Sequence, residues 1–267
     1  MKGQLSAPGS ARTLMASVRQ ALRLHGLPTF SPSDGFFLEF DGFDAYQNAV
    51  SHRQTTFARR SAVERDLCPK GAERYVPGYC IACERRAQFL VDYRYASLKD
   101  GERWPNWRER LVCECGLNNR LRAAIHVLKK FGRPRRADPL YITEQVTPLY
   151  RWLSTHYTAV VGSEYTGDSR PLGRVGEDSI RNESITRLSF PAASFRGILS
   201  FDVLEHVPNY MQGLSECSRV LMDGGFFLFS VPFLANRRST LIRARLGADG
   251  SIEHLQPPEY HGDPWQR

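Results

Sequence analysis

At 267 residues, 42% hydrophobic and 24% charged, the chain can bury a sizeable core and has the balance of a soluble globular protein. No stretch approaches the roughly 20 apolar residues of a membrane-crossing helix, and the longest apolar run, near Phe226–Leu234, reads as a strand. The formal charge of +8 admits acidic, phosphate-rich or nucleic-acid partners without selecting one.

Asp34 is the first acidic residue. Before it, Leu14, Val18 and Leu22 share one helical face, with Arg12, Arg19 and Arg23 elsewhere. This reads as a docking helix of the folded protein; an organellar transit peptide is the alternative. There is no secretory apolar core, so a reducing cytoplasm is the expectation. The stretch from Phe37 to Gln54 reads as a hairpin or a helix.

In a reducing compartment, clustered cysteines suggest metal more than disulfides. Of the six cysteines, Cys80-x-x-Cys83 and Cys113-x-Cys115 form two pairs. Each pair suits a tight turn with both sulfurs inward, and four thiolates make the tetrahedral cage that Zn²⁺ favours. Between the pairs, Arg86–Tyr95 alternates like a strand; after them, Leu117–Lys130 reads as a helix. The expectation is a zinc-ribbon-like module holding a structural Zn²⁺, with Cys68 and His126 as spare ligands and Cys217 in the core. Four reduced, partly buried thiols are the alternative.

Between Cys115 and Asp138 no acid occurs, while Arg120, Arg122, Lys129, Lys130, Arg133, Arg135 and Arg136 do. This reads as a solvated helix face leading into a polar linker, with a binding patch as the second reading. The linker, Gly132–Pro139, divides the chain. The layout is an N-terminal segment at residues 1–66, the cysteine module at 67–136, and an α/β domain at 137–267.

In the third part, "LYITE" (Leu140–Glu144) reads as a strand. Thr147 caps the helix that follows, with Pro148 in its first turn. "AVVGSEY" (Ala159–Tyr165) is the second strand, and Ile180–Phe190 holds a short third. "GILSF" (Gly197–Phe201) is an apolar run typical of a buried parallel strand. Asn209 caps a helix to about Met222, Asp223–Gly225 ends it, and Phe226–Phe233 is a buried fifth strand. Strands alternating with helices imply parallel pairing, with a ligand crevice at the C-terminal strand ends.

The segment Asp202–Val207, "DVLEHV", is followed by Glu216, "RVL" at Arg219–Leu221, the glycine pair Gly224–Gly225, and "VPF" at Val231–Phe233. This ordered set resembles the class I S-adenosylmethionine (SAM)-dependent methyltransferases, in particular the methyltransferase-type-11-like group. The resemblance implies a Rossmann-like sheet and SAM as cofactor. It implies a methyl acceptor drawn from small metabolites or sugars. It also implies a cofactor site built from Glu144, Thr147, Glu164, Ser184 and Asp202. Glu164 matches the acid that receives the ribose hydroxyls, Ser184 stands where an acid usually meets the adenine amino group, and His206 is the candidate base.

Four departures accompany it. Glu144 is followed by Gln145, Val146 and Thr147 instead of spaced glycines, as in a subgroup with a "TE-x-x-TPL" loop. Ser184 replaces an acid, with Glu183 adjacent. Phe195–Arg196 stands where "FD" is commoner. After strand five the family has two further strands and a helix, whereas the residues beyond Phe233 show turn signals and one short helix at Arg238–Leu246. The expected sheet is therefore C-terminally incomplete, with an open edge at strand five. The competing function is a non-catalytic binding protein with a decayed methyltransferase fold. It would grip nucleic acid or a protein partner through the cysteine module and basic helix. Nucleic acid is not favoured, because only Phe131 supplies an aromatic beside those cations.

Overall fold

The computed structural model describes residues 41–167, 170–247, 249 and 251–258. The expected helix at Leu14–Leu22 and the start of the Phe37 stretch lie outside them. The backbone divides into two compact units between Ile125 and His126. Among the described residues no helix is long and apolar enough to cross a membrane.

The first unit opens with two helices, α1 (Phe43–Ser51) and α2 (Gln54–Leu67), which resolves the Phe37–Gln54 ambiguity in favour of helix over its described part. An antiparallel hairpin follows, β1 (Glu73–Cys80) with β2 (Arg85–Asp92). Its alternation buries Ala87, Phe89 and Val91 on one face of β2. Gly78 lies across from Ala87, and a Cβ there would come within 2.7 Å of the Phe89 ring. A separate hairpin joins β3 (Ser97–Lys99) to β4 (Glu102–Trp104). The short β5 (Val112–Cys113) pairs with β2, Cys113 opposite Phe89. Helix α3 (Asn119–Val127) closes the unit, burying Leu121, Arg122, Ala124 and Ile125.

The second unit is built on a four-stranded sheet in the order β7-β6-β8-β9, every neighbouring pair parallel. These strands are β6 (Leu140–Ile142), β7 (Val160–Gly162), β8 (Phe195–Phe201) and β9 (Leu221–Ser230). Central β6 is buried along its whole length, as a strand covered on both faces must be. Helix α4 (Pro148–His156) follows β6, and Thr147 caps it by accepting from the Tyr150 N–H at 3.2 Å. Helix α5 (Tyr210–Val220) follows β8, capped by Asn209 accepting from the Gln212 N–H. The core joins Tyr141, Ile185, Leu188, Phe195, Ile198, Leu204, Cys217 and Val220. Tyr141 is wholly buried; its hydroxyl meets Ser163 Oγ at 2.7 Å, and burial raises its pKa.

Four expectations differ from what is found. The third strand shrinks to a single parallel bridge between Glu164 and Asn182. Buried Asn182 is the reason: its side chain accepts from the Thr166 N–H and donates to the carbonyls of Gly167 and Arg170, so side-chain bonds replace a ladder. The residues Asp223–Gly225 do not end a helix. Helix α5 stops at Val220, and the glycines sit inside β9 as a bulge between the Phe195–Leu221 and Gly197–Phe226 pairs, Gly224 taking φ 69°. Strand β9 is not buried. It pairs only with β8 among the described strands, and Phe229, Val231 and Phe233 are exposed. The helix expected at Arg238–Leu246 is instead a hairpin, β10 (Ala244–Leu246) with β11 (Ile252–His254), held by Arg245 and Glu253 at 2.7 Å.

Candidate functional site

In the first unit the β1–β2 turn carries Cys83 just past Cys80, and the turn after β5 carries Cys115 just past Cys113. The β2–β5 pairing brings the two turns side by side. One ligand atom from each of Cys80, Cys83, Cys113 and Cys115 lies within 4.8 Å of the others, and the Cys83 and Cys113 sulfurs are 3.9 Å apart. Four thiolates about 2.3 Å from a shared Zn²⁺ would stand about 3.8 Å apart, so the spacing fits that ion. The CxC pair works because the Cys113 N–H donates to the Leu117 carbonyl and the Gly116 N–H to Cys113, closing a tight turn with Gly116 at φ 80°. Cys68 and His126 are outside the cluster; the Cys68 thiol donates to the Glu64 carbonyl instead.

The thiols share protons unequally. Burial, then hydrogen bonding with Cys115 and Cys80, raises Cys83. Cys113 is drawn down despite burial, through hydrogen bonds from the Cys115 backbone N–H and the neighbouring thiols. Beneath the cluster lies Arg122, only 7% exposed. Its Nη1 donates to the carbonyls of Leu111 and Leu117, its Nη2 to Asn119 Oδ1 at 3.3 Å, and its guanidinium lies 4.3 Å over the Phe89 ring. Burial lowers its pKa, and the four cysteines, as thiolates, act in the opposite direction. The sequence placed Arg122 with the cations of a solvated helix face, and its burial corrects that reading. The available signal was an arginine in the apolar stripe Leu117, Leu121, Ile125, where a solvated charge has no place.

In the second unit all four strands point the same way, so their C-terminal ends form one edge. Glu164, Glu144 and Asp202 stand just past β7, β6 and β8, adjacent strands in that order. Thr143 ties β6 to β8, its Oγ1 donating to Ser200 Oγ at 3.0 Å. The Glu164 carboxylate closes the β6–α4 loop by accepting from the N–H groups of Gln145 at 2.5 Å and Val146 at 3.0 Å through Oε1. Gln145 extends the clamp, donating to the Ser179 carbonyl and accepting from the Arg181 N–H. The loop backbone can approach β7 because Gly162 has no Cβ; one there would come within 2.9 Å of the Glu144 carbonyl. Asp202, at φ 55°, accepts from the Ser230 hydroxyl at 2.9 Å, linking the tips of β8 and β9.

Ser184 lies two residues past the Glu164–Asn182 bridge, its hydroxyl 2.9 Å from that of Thr186. Neighbouring Glu183 turns inward. Its side chain is 0% exposed, accepting from Arg181 Nε at 2.8 Å, Ser189 N–H at 2.9 Å and Ser189 Oγ at 2.5 Å. Thr147 spends its hydroxyl on the helix cap. His206 ends the 3₁₀ turn Leu204–His206 after β8 and is exposed.

Residues 148–229 match the family described as "Methyltransferase domain". A stretch of 53 residues is 43% identical to a protein of Mycolicibacterium smegmatis named "Probable S-adenosylmethionine-dependent methyltransferase", covering 20% of this chain and 21% of that protein. Among solved structures, the YcgJ protein of a Bacillus shares 18% identity at a TM-score of 0.33, over 40% of this chain and 49% of that one. The trans-methyltransferase CalH, solved with SAH, shares 13% identity at a TM-score of 0.31, over 43% of this chain and 36% of that one. The chain thus spans about a fifth of the curated relative and half or less of these solved chains. Over residues 148–229, then, the parallel α/β unit is similar to that methyltransferase domain family.

Proposed function

We propose that the second unit binds S-adenosyl-L-methionine along its C-terminal strand edge and delivers the methyl group to a small-molecule acceptor, while the first unit carries a structural Zn²⁺. The observation that carries this reading is the row of Glu164, Glu144 and Asp202 on three adjacent parallel strand ends. Three carboxylates suit a ligand that pairs a positive sulfonium with a ribose diol, since each can accept two hydrogen bonds. Bound there, the cofactor supplies a methyl group already activated for attack.

The chain's share is binding and positioning. Glu164 holds the altered loop shut and presents its carboxylate to the ribose side. Glu144 and Asp202 give the crest its negative potential, Asp202 in an orientation fixed by Ser230. Thr147 and Leu149 offer backbone N–H groups at the α4 N-terminus, Pro148 having none and that of Tyr150 being spent on the cap. Ser184 offers a neutral hydroxyl toward the adenine side, as the adjacent acid Glu183 is committed to Arg181. His206 serves as base where the acceptor must lose a proton during attack. In the first unit, Cys80, Cys83, Cys113 and Cys115 hold the Zn²⁺, whose role is to brace a unit with few buried residues.

Calorimetric titration of the full chain with SAM tests the cofactor reading. Saturable binding that is lost in Glu164→Ala supports it. No heat at millimolar SAM, from protein of full helix content, refutes it and leaves the non-catalytic reading.

A further inference from the structure

The first unit contains a second feature, apart from the cysteine cluster. The end of α2, the following loop, the start of β1 and the β3–β4 hairpin enclose an open cleft of about 860 Å³. That is the volume range of small-ligand sites. Arg65, Lys70, Arg74 and Arg103 line it. Among the described residues, none of these four forms an ion pair with a carboxylate. Elsewhere in the unit some arginines do take carboxylate partners: Arg85 with Glu114, Arg110 with Asp92, Arg120 with Glu109. Four cations gathered without that neutralisation repel one another, and an anion placed between them relieves the repulsion.

The cations are also positioned. Arg103 lies 4.6 Å over the Tyr93 ring, and Arg65 lies 6.0 Å over Trp104. Lys99 covers Trp104 at 4.5 Å. Arg74 Nη1 donates to the Asp66 carbonyl, and Tyr93 Oη to the Pro69 carbonyl at 2.8 Å, tying strand, loop and helix end into one wall. Asp66 and Glu102 also line the cleft. Carboxylates cannot contact a phosphate favourably, but they accept hydrogen bonds from hydroxyls.

We propose that this cleft binds a small phosphorylated polyol, with the phosphate on the arginine and lysine groups and the hydroxyls on Asp66 and Glu102. Guanidinium suits the phosphate because its planar donors meet two oxygens at once. A single-stranded nucleic acid is disfavoured, because strand binding needs open ring faces for base stacking and here cations cover Trp104 and Tyr93.

Equilibrium titration of the metal-loaded full chain tests the proposal, with inorganic pyrophosphate, ribose 5-phosphate, ribose and a single-stranded oligonucleotide as probes. Saturable one-to-one binding of pyrophosphate and ribose 5-phosphate, and none of ribose, is expected. Lys70→Gln and Arg65→Gln together weaken both phosphates by roughly tenfold or more. Glu102→Gln weakens ribose 5-phosphate and leaves pyrophosphate unweakened, which a general loss of structure would not do. Arg187→Gln, an exposed cation of the second unit, changes neither. The proposal is overturned if neither phosphate saturates, if only the oligonucleotide binds, or if correctly folded Lys70→Gln/Arg65→Gln protein binds as the parent does. Because the probes contain no SAM, the result is independent of the methyltransferase reading.

Discussion

Replacing Arg122 by methionine separates two roles of one buried cation. The substitution keeps an unbranched apolar side chain and removes the guanidinium that lies over Phe89, with its donors to Leu111, Leu117 and Asn119. The Leu117 carbonyl keeps the Cys113 N–H and the Leu111 carbonyl loses its Arg122 donor, so metal-free and metal-loaded protein should both lose roughly 1–3 kcal/mol. The charge acts differently in the two forms. Four thiolates around Zn²⁺ make a dianion, for which the guanidinium is a countercharge in a low-dielectric setting. Four protonated thiols offer it no such partner. The loaded form should therefore lose more, by the 10- to 100-fold in zinc affinity typical of outer partners of a metal site, or about 1.4–2.8 kcal/mol. Urea unfolding of both forms, with chelator competition for zinc affinity, measures the two losses separately. Equal losses in the two forms, with parental zinc affinity, would show that Arg122 is only a hydrogen-bonding brace and that the cluster carries no charge for it to balance.

Three further outcomes are expected. Substituting all four cluster cysteines by serine, or stripping the metal with a chelator, should lower zinc below about half an equivalent and expose the first unit to proteolysis, while SAM titration of the second unit is retained. Glu183→Gln leaves Arg181 without its buried partner and should cost roughly 3–5 kcal/mol by chemical denaturation; a loss within the surface range would refute that ion pair. Glu216 lies below its ordinary value of 4.5, chiefly through the hydrogen bond from Arg219 and also through the Leu188 N–H. Its stabilisation is present above 4.5 and lost as pH falls through the depressed folded-state value, so as pH falls below 4.5 the parent should lose more stability than Glu216→Gln.

Much of this was legible from residue patterns. The apolar runs at Leu140–Ile142 and Gly197–Phe201 announced parallel strands, and Thr147 and Asn209 announced the helix starts, because caps and buried strands are local properties. The two cysteine pairs announced their own cluster. What stayed hidden depends on long-range pairing. Nothing near Glu164 says that its carboxylate will seize two amides from the Gln145–Val146 turn. Nothing near Asn182 says that its amide will replace a strand ladder. The glycines at Gly224–Gly225 look like a helix stop and serve as a bulge, since both uses ask for the same backbone freedom. Arg245 and Glu253 close a hairpin where the sequence reading had a short helix, a choice made by a partner eight positions away.

Among the described residues, strand β9 pairs with β8 alone and carries exposed Phe229, with exposed Val231 and Phe233 just after it. A ribbon edge of that kind, lacking a charged gatekeeper along its last residues, is sticky toward any extended peptide. Purified protein should cloud as it is concentrated, and a lysine at Phe229 should keep it clear.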